Sequence, residues 1–276
     1  MPHPLAAKFA DCPWRQISAD DLAAAAAVPT MLNRDERQLY HWLGKNARGI
    51  GATIDLGTFA GGSTANLAHG LASSGKPYHI HGYDRFTASA EARALHLSPG
   101  GVALTDQDDI LPLAQRFLAP WAAHITLHRG EIAKVVWDGG PIELLVVDAA
   151  KSTLLTDHIA AQFFPSLIAG QSLLVHQDFL HAQQPWLAVQ MVRLADYFTP
   201  MGLIGKDCVV FACTKTPDAA ALDHARTDVM DDDKLLSSIR AAAKLYDFIP
   251  KTRFKAMIDK LRANPGARVA WQLRKG

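Results

Sequence analysis

The stretch Ala52-Thr53-Ile54-Asp55-Leu56-Gly57-Thr58-Phe59-Ala60-Gly61-Gly62-Ser63-Thr64 decides the fold. Its first five residues read as a short strand that runs into a glycine-rich turn. Residues 64–71 follow as a helix, apolar at Ala65, Leu67, Ala68 and Leu71 and closed by Gly75 and Pro77. Gly57 lets the chain turn sharply, and Gly61 and Gly62 let the backbone approach a ligand with no Cβ in the way. Ser63 or Thr64 is expected to cap the helix. The free N–H groups of a helix start favour an anionic group such as a carboxylate or phosphate. The spacing is Gly-x-x-x-Gly-Gly, which differs from the Gly-x-Gly-x-x-Gly of dinucleotide folds. Alone, it is compatible with a plain turn or with several cofactors.

Downstream, strands alternate with helices. Residues 78–83 read as a second strand ending at Asp84, and residues 125–128 as a third ending at Arg129-Gly130-Glu131. Residues 143–147 are wholly apolar after Glu143 and end at Asp148, as suits a central parallel strand buried on both faces. Residues 172–175 end at His176-Gln177-Asp178. Helices are expected at 110–118, 154–167 and 184–198. Two last strands, 201–204 and 208–212, are separated by Gly205-Lys206-Asp207 and predict an antiparallel hairpin at one edge. The alternation predicts an α/β doubly wound, mostly parallel sheet. Ligands bind outside the carboxyl ends of such strands. Five successive strand ends carry polar or acidic groups. Asp84 stands 29 residues after Asp55, where an acid can accept both ribose hydroxyls of an adenosine ligand. Residues 85–109, with Ser98-Pro99-Gly100-Gly101 inside, interrupt the rhythm and predict a lid or substrate-side insertion.

Upstream, residues 1–48 read as helical. Ser18 with Asp21 makes a weak capping box, and Pro29 ends that helix. A second carries Leu32, Leu39, Trp42 and Leu43 and stops at Gly49 and Gly51. Three segments are expected: a helical 1–48, a ligand-binding domain over 49–215, and a helical extension over 216–276. The extension is basic from 234 onward, with only Asp247 and Asp259 as acids. Its face is either solvated or attractive to an anionic substrate or partner. The chain has 276 residues, 49% hydrophobic and 20% charged, with net charge +1. That balance gives no electrostatic argument for nucleic acid or a membrane surface. Cys12, Cys208 and Cys213 lack metal-ligand spacing and an even count, so reduced thiols are expected. Met1-Pro2-His3-Pro4 does not start like a signal peptide, and no apolar run approaches the ~20 residues a bilayer span requires. A cytoplasmic protein is expected.

The sequence Asp55-Leu56-Gly57-x-x-x-Gly-Gly-Ser63-Thr64, followed by Asp84, resembles motifs I and II of class I S-adenosylmethionine (SAM) dependent methyltransferases. Leu145-Val146-Val147-Asp148-Ala149-Ala150-Lys151-Ser152, Pro165-x-Leu167-x-x-Gly170 through Val175-His176-Gln177-Asp178, and Met31-Leu32-x-x-x-Glu36-Arg37 are similar to the macrocin O-methyltransferase-like branch. The resemblance covers about residues 30–215. It implies a Rossmann-like, seven-stranded sheet with helices on both faces, and methyl transfer to the hydroxyl of a small metabolite. SAM would be held by Asp55, Gly57, Thr58, Gly61, Gly62, Ser63, Thr64 and Asp84, with Gly130 and Glu131 bordering the adenine. The family places Mg²⁺ on a strand-4 aspartate and an acidic pair after strand 5. Asp148, Gln177 and Asp178 are the matching positions, with an amide in place of one acid. His176 and His181 are candidate general bases and Asp148 a catalytic pole. Lys151 would contact an acidic substrate group or pair with Asp148, and Trp186 would line a pocket or pack. A small hydroxylated acceptor and a homo-oligomer are the expected partners. Two other readings stay open. One is a SAM-binding sensor or partner subunit without transferase activity. The other is a nucleotide-linked oxidoreductase, against which the glycine spacing speaks.

Overall fold

The computed structural model describes residues 3–97 and 108–274. The chain packs as two compact units, residues 11–134 and residues 1–10 with 135–276.

In the first unit, α2 (Ala19–Ala26) and α3 (Arg34–Lys45) come after a short α1 (Ala6–Phe9) of the other unit. Both α2 and α3 start with a capping box, Ser18 with Asp21 and Asn33 with Glu36. Each box satisfies two otherwise orphaned amides at the helix start. Strand β1 (Ala52–Leu56) leads into α4 (Gly62–Ser74), then β2 (Ile80–Asp84), α5 (Ala90–His96), α6 (Leu111–Leu118) and β3 (Ile125–Arg129). β1 pairs with β2 and β2 with β3, all parallel, so Asp55 lies beside Gly82 and Asp84 beside Arg129. Ile54, Leu56, Leu39, Leu67 and Ile80 are fully buried and make the unit's core.

The second unit holds β4 (Ile142–Val147), α7 (Thr153–Phe163), β5 (Leu173–His176), α8 (Trp186–Arg193), β6 (Phe198–Ile204), β7 (Cys208–Cys213), α9 (Ala219–His224), α10 (Asp232–Leu245) and α11 (Lys251–Ala263). β4 and β5 run parallel, whereas β7 is antiparallel to both β5 and β6. All six residues of β4 are buried, the five apolar ones as expected and Glu143 with them. Phe163, Phe164, Phe179, Trp186, Phe198, Phe211 and Tyr246 fill the core. The seven strands are ordered β3-β2-β1-β4-β5-β7-β6 in one mixed, Rossmann-like sheet with the expected antiparallel edge.

The main departure lies at 194–200. The helix expected to reach Phe198 stops at Arg193, and Phe198 instead opens β6. Tyr197 N donates to Leu194 O and Thr214 N to Tyr197 O, which ties this turn to the end of β7. β6 ends the sheet, carries Pro200, and shifts register between Pro200 and Gly202. Cys12, Cys208 and Cys213 are free thiols. Burial raises Cys213 to about 12. Among the described residues, no helix is long and apolar enough to cross a membrane. In the extension, Arg268 pairs with Asp232, Arg253 with Asp207 and Lys255 with Asp259, so part of its positive charge is internally matched.

Candidate functional site

In the unit of residues 11–134, the turn after β1 is laid against the end of β2: Gly57 N donates to Tyr83 O at 2.9 Å and Thr58 N to the same oxygen at 3.3 Å. Gly61 caps α4 at φ +100°, a conformation that a side chain would strain. Asp55 is fully buried beneath the turn. Its Oδ2 accepts from Ser63 Oγ at 2.7 Å and from Thr64 Oγ1 at 2.5 Å. Its Oδ1 is buried with no hydrogen-bond partner. Burial pushes its carboxyl up to about 6, against the lowering effect of those two hydroxyls.

This arrangement corrects two expectations. Ser63 and Thr64 do not cap α4, because their hydroxyls turn inward to Asp55. The helix therefore has no side-chain cap, and its first amides remain available to a ligand anion. Gly62 does not clear space for a ligand either. A Cβ there would lie 2.3 Å from Thr30 Cβ and 2.6 Å from Pro29 O, so its bareness lets the 29–30 segment pack against the helix. Thr58 is buried too, and its hydroxyl donates to Asp55 O at 3.3 Å, which leaves little of its side chain for a ligand.

Asp84, at the end of β2, does more than an isolated acid would. Its Oδ2 accepts Phe59 N–H at 2.9 Å and its Oδ1 accepts Phe86 N–H at 2.6 Å. Phe59 and Phe86 both sit at positive φ, +49° and +54°. Bulky residues rarely adopt that region, at a cost of roughly 1–3 kcal/mol each. One carboxylate thus holds two strained turns. A carboxylate has about four lone-pair sites, so acceptor capacity remains for a ligand's hydroxyls. Neither phenylalanine carries a sequence signal for this role.

Phe86 also anchors the arm that follows. It packs with Ala60, Ala88, Leu97, Ile110 and Ala114, and Phe59 lies against that cluster. Ala88 N donates to Asp108 O, and Ile110 N to Phe86 O, so the arm's two ends are joined. Ser98-Pro99-Gly100-Gly101 lies outside the described residues. Arg129 donates to Asp109 at 2.8 Å, and Gly130 and Glu131 are exposed at the end of β3.

In the unit of residues 1–10 and 135–276, the polar groups gather at the ends of β4 and β5. Lys151 Nζ donates to Asp148 Oδ1 at 3.1 Å and to Asp178 Oδ2. Gln184 Nε2 donates to Asp178 Oδ2 at 2.7 Å. Burial disfavours the Lys151 ammonium, but the charges of Asp148 and Asp178 and its bonds to both outweigh burial and raise its pKa. Burial likewise raises Asp178, and Lys151 with Gln184 brings it below the ordinary carboxylate value. Gln177 is nearly buried and its N–H donates to Val147 O.

The three catalytic candidates separate. His176 is 1% exposed, its ring beside the paired rings of Phe179 and Phe211, with neither ring nitrogen hydrogen-bonded. Burial pushes it down to about 3, so it is a poor proton acceptor near neutral pH. His181 is half-buried, and burial lowers it against the raising effect of Asp178. Gln183 N donates to its Nδ1 at 3.3 Å, which assigns the neutral ring's proton to Nε2 and makes that atom a donor. Asp148 remains as a half-buried carboxylate at the end of β4. Trp186 packs: it is fully buried and donates to Ala150 O at 2.8 Å, fixing the loop between Asp148 and Lys151.

The donor set does not fit the expected Mg²⁺. The two acids already share an ammonium, and the third position is an amide. Among the described residues, no group of three or more His, Cys, Asp or Glu is placed to hold a metal. The cradle in residues 11–134 does fit SAM. It offers an uncapped helix start, inward-tied hydroxyls over a buried acid, and Asp84 with acceptor capacity.

No family model matches the chain, and no curated protein matches it. Among solved structures it is similar to the O-methyltransferase NovP, at 15% identity over 66% of this chain and 78% of that one, TM-score 0.49. It is also similar to the SAH-bound Podospora anserina methyltransferase PaMTH1 (12%, 90% and 80%, TM-score 0.37) and to a cyclopropane-fatty-acyl-phospholipid synthase-like protein from Lactobacillus casei (15%, 91% and 97%, TM-score 0.36). At these levels of identity, the chemistry of this chain rests on its own residues.

Proposed function

We propose that the protein is a SAM-dependent methyltransferase that methylates a hydroxyl of a small metabolite. The observation that carries this reading is the cradle at the ends of β1 and β2. There the uncapped start of α4, the Asp55–Ser63–Thr64 knot and Asp84 gather in one place. A carboxylate suits the helix start, and ribose hydroxyls suit Asp84.

When bound, SAM supplies a methyl group on a sulfonium, ready for in-line attack. The protein's task is alignment and proton removal. The start of α4 holds the carboxylate, and Asp55 fixes the helix through Ser63 and Thr64. Asp84 holds the ribose. Gly130 and Glu131 border the adenine. Among the candidate groups, the Asp148 carboxylate is assigned the proton of an acceptor hydroxyl. His181 Nε2–H and Gln184 supply polar contacts. His176 takes no part, because its ring is buried among aromatics.

Calorimetric titration with SAM and SAH tests the reading. The expected result is one site per chain, weakened at least tenfold by Asp84→Ala. A folded protein that takes up neither ligand overturns it.

A further inference from the structure

The cluster at the ends of β4 and β5 has an occupant of its own. Lys151 follows Asp148 by three residues and precedes Asp178 by 27, and its ammonium meets both carboxylates. Asp178 is further engaged by Gln184 Nε2 on the same oxygen that Lys151 meets. Trp186 holds the intervening Ala150 carbonyl, so the backbone that delivers Lys151 is pinned. The resemblance in sequence reserves this place, between a strand-4 aspartate and an acid after strand 5, for a divalent cation.

We propose that Lys151 is the built-in cation of this site: its ammonium bridges Asp148 and Asp178 where the related pattern would bind Mg²⁺, so the cluster takes up no divalent ion. The carboxylates themselves support this. A hard cation such as Mg²⁺ needs one or two carboxylates with open lone pairs and room for water. Here an ammonium with three donors lies on both, and a primary amide covers one of them. Lys151 meets both carboxylates at once, the setting of an ammonium. It therefore serves as a fixed positive charge and not as a proton acceptor, and its charge is spent on its own chain rather than on an acidic group of an acceptor.

The expectation of a metal comes from the methyltransferase reading, but the cluster and its test do not depend on SAM. The full chain is stripped with chelator and titrated with Mn²⁺ alone, with bound ion read by electron paramagnetic resonance. Wild type is expected to bind no Mn²⁺ that Asp148→Asn removes. Lys151→Ala, and Lys151→Met as a variant that keeps the aliphatic stem, are expected to gain one Mn²⁺ per chain, lost again when Asp148→Asn is added. Wild-type uptake that Asp148→Asn abolishes overturns the proposal. So does a folded Lys151→Met that binds none. Should both lysine variants fail to fold, the wild-type titration decides by itself. Failure of SAM to bind would sink the methyltransferase reading and leave this result untouched.

Discussion

The strand ends of the two units are built from similar residue types and finished in opposite ways. At β1 and β2, the polar groups are arranged and then left open: α4 starts uncapped, Asp55 Oδ1 has no partner, and Asp84 spends one bond on each of two strained amides. At β4 and β5, the acids are closed on a lysine and a glutamine of their own chain. An open site spends folding stability to keep binding capacity. A closed one gains stability and loses the capacity to recruit an ion. Which acids await a ligand is therefore settled by their partners and not by their position at a strand end.

Substitutions can break this contrast. The largest effect is expected at Gly62→Val, where the new side chain meets the Pro29 carbonyl and Thr30. Overpacking against backbone should cost about 3 kcal/mol in denaturant unfolding. An unchanged midpoint would show that the 29–30 segment gives way freely.

Asp84→Ala comes next. It removes the ribose acceptor and the anchor of Phe59 and Phe86 together. Bonds to a charged group are worth about 1.5–3 kcal/mol each, so SAH affinity should fall on the order of a hundredfold by calorimetry. A matching loss at Asp178→Ala would erase the distinction between open and closed ends.

His176→Leu should raise stability, and more in acid. Between pH about 3 and 6.5, the unfolded ring binds a proton that the folded one refuses, so wild-type stability falls as pH drops through that window. The variant lacks this slope, and near pH 5 it should gain about 1–2 kcal/mol relative to its behaviour near pH 8. Parallel pH profiles from thermal melts would rule the buried ring out as the cause.

Asp178→Asn should have the smallest effect, about 1 kcal/mol, because the ion pair is partly solvated. The sign is opposite. Asp178 is lowered in the folded state, so its contribution is present above the usual carboxylate pKa and is lost as pH falls through the folded value. The variant and wild type should converge in strong acid.

Much of the open site was legible. β1, its glycine turn and Asp84 follow from local pattern, and so does the helix start where Ser18 is paired with Asp21. The mostly parallel sheet with an antiparallel edge follows from strand alternation and a closing hairpin, whereas the strand order does not. What was not legible depends on where side chains meet. Ser63 and Thr64 look like caps until Asp55 is placed beneath them. Gly62 looks like a ligand clearance until Thr30 arrives from an earlier segment. Lys151 sits 27 residues from Asp178, and no spacing rule joins them. His176 reads as a base at a strand end, but β7 covers it with Phe211. The helix drawn to Phe198 failed because apolar residues suit either element, and the pairing with β7 decided between them.

The last strand has a consequence for how copies of the chain can meet. A sheet's outer strand is a template for another chain, since its unpaired backbone groups invite one more strand. β6 refuses that invitation. Pro200 brings no N–H, the register slips before Gly202, and the Phe9 ring lies 3.2 Å from where a Cβ of Gly202 would be. Extension by strand addition is thereby blocked at this border. This edge is guarded against the runaway pairing that turns sheets into fibres, and a homo-oligomer built by strand pairing would have to use the opposite edge, β3.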